Sequence, residues 1–131
     1  MDKQQVENEI EKINTYLSRC LWMDFEICRM NAGQVIMAGT IDQSYGDYAI
    51  DIVFEEPHFV SSLFYWTTEP SKPFIELVTD EEAYDFNTKY QVEEGNHIFK
   101  MNIENFEKSP IFIAARKVTC RIIIENPFSG N

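Results

Sequence analysis

At Asp24 the hydrophobic period of the chain changes, and no other feature constrains the fold as much. Before it, Val6, Ile10, Ile13, Leu17 and Cys20 recur at alternating spacings of four and three. That spacing places them on one stripe of a helix over residues 1–21, with Glu7, Glu9, Glu11 and Lys12 largely outside it. Asp2 stands where the positive end of the helix dipole favours an acid. After Asp24 apolar and polar residues alternate, the pattern of strands. A helix with one apolar stripe must cover it, and the strands that follow are its expected partner.

The strand-rich part is punctuated by turn chemistry. Phe25 and Ile27 open one strand, Asn31-Ala32-Gly33-Gln34 turns the chain, and Val35 to Ile41 returns it. Asp42 to Asp47 is a second turn, followed by alternating Tyr48, Ile50, Ile52 and Phe54, so three antiparallel strands in a meander are expected. Pro57 is expected to close the third. Phe59 to Thr67 reads as a fourth strand, apolar on both faces, and therefore either sandwiched or carrying an exposed aromatic patch. Thr67 to Pro73 is a loop with two prolines, and Phe74 to Val78 a short strand. Tyr84, Phe86, Thr88, Tyr90 and Val92 alternate as a further strand, which Glu93-Glu94-Gly95-Asn96 turns into His97 to Ile103 as another hairpin. Glu104 to Pro110 is a polar loop or single helical turn. Ile111 to Ala115 and Lys117 to Glu125 give the last strands, before a tail at 126–131.

The expectation is one α+β domain over 1–131. An N-terminal amphipathic helix packs on a mainly antiparallel β-sheet or β-sandwich of roughly seven to nine short strands within 24–125. The three cysteines, Cys20, Cys28 and Cys120, have apolar neighbours and read as reduced core residues. No basic, apolar leader and no membrane-spanning run is visible, so the expected location is the cytoplasm.

Charge narrows the choice of partner. The net charge is −11, and with 44% hydrophobic and 14% aromatic residues the chain still has the material for a core. Eleven Lys and Arg side chains against 22 acids disfavour direct nucleic-acid binding and anionic membranes, and favour a basic protein as partner. Solubility alone is the competing explanation of the charge.

Chemistry is harder to find. His58 and His97 lie in no pattern that pairs a base with a nucleophile and read as strand-end residues. Five glycines form neither a phosphate loop nor a dinucleotide fingerprint. Asp80-Glu81-Glu82 with Asp85 lacks the glycine bend of a calcium loop, and Cys20 with Cys28 lacks the spacing of a zinc site. No catalytic residue, metal or cofactor is expected. What stands out is the run from Glu76 to Glu94. Glu76, Asp80, Glu81, Glu82, Asp85, Glu93 and Glu94 face a single base, Lys89, with Tyr84, Phe86 and Tyr90 interleaved. Acids around aromatic anchors suit a basic protein surface, and Tyr84 with the seven acids is the candidate partner-binding set. Alternatively the rings face the core and the acids are simply solvated.

Ile111-Phe112-Ile113-Ala114-Ala115-Arg116-Lys117-Val118-Thr119-Cys120-Arg121-Ile122, after a strand and a polar loop, is similar to the closing strand pair of some predominantly β bacterial immunity proteins, small acidic antidotes to toxins. The resemblance covers the strand-rich region from Phe25 onward and rests on pattern. It implies a non-enzymatic inhibitor that masks a toxin, such as a nuclease, and it transfers no binding residue. The alternatives are a phage-type counter-defence protein and an enzyme of unfamiliar type using carboxylates. The counter-defence protein would mimic nucleic-acid charge, or sequester a small nucleotide signal in an aromatic pocket with some of Arg19, Arg29, Arg116 or Arg121.

Overall fold

The computed structural model describes residues 1–19, 22–41, 47–69, 71–104 and 110–125. Its elements are α1 (Lys3–Leu17), β1 (Asp24–Met30), β2 (Gln34–Thr40), β3 (Ile50–Ser61), β4 (Tyr65–Thr67), β5 (Ile75–Val78), α2 (Asp80–Tyr90), β6 (His97–Met101) and β7 (Ile111–Ile122). The seven strands form one antiparallel sheet in the order β4-β1-β2-β3-β7-β6-β5. The fold is α+β, with a single curled sheet and a helix on each side.

α1 begins with a capping box. The Asp2 carboxylate accepts from the Gln5 amide at 2.8 Å, and the Gln5 side chain accepts from the Asp2 amide at 2.9 Å. Val6, Ile13 and Leu17 of the predicted stripe are buried, joined by Tyr16, while Ile10 lies at the margin of the core. Asn14 fastens the helix to the edge strand β5: its amide donates to the Ile75 carbonyl at 2.8 Å and its oxygen accepts from the Ile75 N–H at 3.0 Å. A side-chain amide thereby supplies the pair of bonds that another strand would.

The inner face of the sheet holds the main core. Phe25 stacks on Phe74 at 4.7 Å and on Trp66 at 6.0 Å, and Phe54 meets Phe99 edge-on at 5.2 Å. Gly39 lies opposite Phe25 in the ladder, where an added Cβ would fall 2.8 Å from the Phe25 ring and 2.5 Å from the Met23 sulfur. The curl brings the two ends of the sheet together: Thr68, just beyond β4, bridges to Ile103, just beyond β6, and the Glu104 N–H donates to the Thr67 carbonyl at 3.0 Å.

Several expectations are corrected. Pro57 does not end β3, which runs through it to Ser61. The register shifts between Pro57 and Phe59, an irregularity where a residue without an N–H is tolerated. Phe59 to Thr67 is therefore two pieces, the end of β3 and the short β4, and His58 lies inside a strand. The last two strands are one, β7. Its buried phase passes from Ile111, Ile113 and Ala115 to Val118 and Cys120 across exposed Arg116 and Lys117, which mimics a break in the sequence. Cys120 is buried as expected, but Cys28 is exposed, because it follows Asp24 and Glu26 on the outer face of β1 while Phe25 and Ile27 point to the core. The largest correction is the segment from Tyr84 to Val92, which is the helix α2 and its exit. The hairpin expected there is absent, and β6 pairs with β5 and β7. Cys20, most of the Asp42 to Asp47 turn, most of the loop after Glu104, and the tail at 126–131 lie outside the described residues.

Candidate partner-binding surface

α2 starts after Thr79 with Asp80, Glu81 and Glu82 in its first turn, where carboxylates meet the positive end of the helix dipole. Asp80 takes a left-handed backbone, φ +55°, a conformation that Asp tolerates better than most residues. Gln91 ends the helix, also left-handed at φ +52°. Ala83, Phe86 and Tyr90 turn toward the outer face of the sheet at spacings of three and four. Phe86 contacts Phe112 and Phe59 at ring distances of 5.0 and 5.4 Å, and Tyr90 lies 4.7 Å from Phe59. The second, smaller core consists of Val78, Phe86, Val92, Ile98 and Ala114, with Phe59, Ala83 and Phe112 packed against it.

Helical geometry sorts the predicted site residues. Tyr84 is 70% exposed on the solvent side of α2, one turn after Asp80 and Glu81 and next to Asp85, all exposed. Glu93 and Glu94 lie in the exposed connection to β6. Glu76, on the outer face of β5, accepts from the Asn102 amide at 2.9 Å. Lys100 lies 3.9 Å from both the Glu76 and the Glu82 carboxylates, tying the first turn of α2 to the sheet. Among the described residues Asp80, Glu81, Asp85, Glu93 and Glu94 make no ion pair, so their charge projects outward. Of the interleaved rings, Phe86 belongs to the core, Tyr90 is divided between core and solvent with Lys89 over its face at 5.2 Å, and Tyr84 is free to meet a partner.

A second surface carries features that sequence reading did not single out. On the outer face of β4-β1-β2, Tyr65 stands opposite Glu26, and Thr67 opposite Asp24. With Thr40 and Tyr48 they line a cleft of about 490 Å³. The Thr67 hydroxyl donates to Asp24 at 2.7 Å, and the Tyr48 phenol donates to Glu26. Hydrogen bonds to Cys28 and then to Glu26, reinforced by burial, raise the Tyr48 pKa above the ordinary phenol range. Beside the cleft, Phe64 and Tyr65 are 76% and 79% exposed, and Leu63 is also exposed. The aromatic patch expected as one reading of Phe59 to Thr67 is therefore present at its far end.

Arg116 approaches the acidic connection after α2, where a Cβ on Gly95 would lie 3.9 Å from its guanidinium, while two other arginines are engaged elsewhere. Arg121 is committed to Asp51 at 2.6 Å and Arg29 bonds Gln34 at 3.2 Å. Among the described residues no group of three or more His, Cys, Asp or Glu is placed to hold a metal ion, and no helix is long and apolar enough to cross a membrane. Compared with protein families, with curated proteins and with solved structures, the chain shows no match in any of the three.

Proposed function

We propose that this is a non-enzymatic binding protein that neutralises a basic protein partner, in the manner of a toxin immunity protein. The observation that carries the reading is Tyr84: a large ring 70% exposed, flanked on the same helix by Asp80, Glu81 and Asp85, which make no ion pair among the described residues. Acids of one sign raise the encounter rate with a cationic surface, and a rigid aromatic ring supplies contact area once the surfaces meet. The net charge of −11 acts in the same direction over longer range. The test is capture of partners by the tagged protein at low salt followed by a high-salt wash. A basic protein retained at low salt and released by salt is the expected result. Retention of no basic protein, or of one indifferent to salt, would overturn the reading.

A further inference from the structure

The exposed aromatic stretch at β4 is an apolar surface feature that α2 does not explain. Its groove, about 600 Å³, is lined by Leu63, Phe64, Tyr65 and Trp66, with Glu104 at one side. Tyr65 and Trp66 also belong to the neighbouring cleft that holds Asp24 and Glu26. Trp66 is 5% exposed, and its indole N–H has no acceptor among the described residues. Among the described residues neither cavity has a lysine or arginine in its lining, so an apolar groove opens beside a cleft that holds Asp24 and Glu26.

Resting on the reading of a basic partner, we propose that the groove along Leu63, Phe64 and Tyr65 is its docking site. It takes an extended basic segment whose apolar side chain lies on Phe64 and whose guanidinium or ammonium enters the cleft between Glu26 and the Tyr65 ring. Charge selects this occupant. A second copy of the chain would bring another −11, and a nucleic acid or anionic lipid would meet Asp24, Glu26 and Glu104. A cation is attracted both by a carboxylate and by the face of a tyrosine, and Glu26 and Tyr65 are cross-strand neighbours. α2 and the cleft divide the work: exposed acids on α2 steer the partner, and the aromatic groove holds it.

The experiment is amide NMR of the full chain titrated with a short capped peptide alternating arginine and leucine, with the same peptide carrying glutamine for arginine as control. Shifts centred on Glu26 and on Phe64 to Thr67 are expected from the arginine peptide alone. Tyr65→Ala and Glu26→Gln should each weaken binding about tenfold. Tyr65 is exposed and Glu26→Gln nearly isosteric, so both variants should fold. Shifts centred on α2 with β4 silent would overturn this inference and leave the proposed function standing. Equal binding of the glutamine peptide, or no binding by either peptide, would likewise overturn this inference, while the basic-partner reading stands or falls on the salt-dependent capture of a basic protein.

Discussion

The two sides of the sheet carry helices of opposite character. On the α1 side twenty-three buried residues of those described form one cluster, and the helix is held by a capping box and by the two Asn14 bonds to Ile75. On the α2 side the cluster has five, and the helix turns an exposed tyrosine and three unpaired acids, Asp80, Glu81 and Asp85, outward. Burial of apolar area scales with stabilisation, so the α1 side carries most of the fold. The α2 side has less to lose and can bear unpaired charge.

Paired phenylalanine truncations test that division most severely. Phe54→Ala removes a fully buried ring and should cost about 4 kcal/mol in denaturant unfolding. Phe86→Ala, in the smaller cluster and 8% exposed, should cost about 2 kcal/mol, below the usual range because the site can relax toward solvent. Equal losses would erase the distinction between the two sides. Gly39→Ala attacks the main core by overfilling, pushing a methyl against Phe25 and Met23, and should cost about 2 kcal/mol. Asp2→Ala removes half of the capping box and should cost about 1 kcal/mol, read as a lower melting temperature.

The smallest effect concerns the thiols. Burial raises the Cys120 pKa, so Cys28 should be alkylated in the native protein and Cys120 only on unfolding, as followed by peptide mass spectrometry. A thiol with a raised folded-state pKa contributes stability that is fully present below its unfolded-state pKa and is lost as pH rises through the folded value. Cys120→Ala should therefore flatten the alkaline limb of the stability profile.

Why α1 was legible and α2 was not follows from spacing. Val6, Ile10, Ile13 and Leu17 alternate steps of four and three, which no strand can satisfy. Phe86 and Tyr90 are four apart, a step that suits helix and strand equally, and Tyr84, Thr88 and Val92 completed a false period of two. The discriminating signals were Ala83, three residues before Phe86, and Thr79-Asp80-Glu81-Glu82, a helix-start pattern with acids in the first turn. The pairing of β1 with β2 was legible because the short turn at 31–33 leaves little choice, and that of β2 with β3 because Ile50, Ile52 and Phe54 alternate cleanly beyond the turn chemistry that follows β2. The β4 cleft was not, since Asp24, Glu26, Tyr48, Tyr65 and Thr67 come from separate segments and meet only through register.

The candidate acids were legible by composition, but their division was not. Only the structure ties Glu76 and Glu82 to Lys100 and leaves Glu81, Glu93 and Glu94 facing outward. The measurement that bears most directly on the functional reading reverses charge on that surface. A variant carrying Glu81→Lys, Asp85→Lys, Glu93→Lys and Glu94→Lys, with the Glu82–Lys100 pair intact, is compared with the parent for melting temperature and for retention of the basic partner at low salt. Little change in melting temperature with loss of the partner is the expected result. A folded variant that keeps the partner as tightly as the parent would contradict the account.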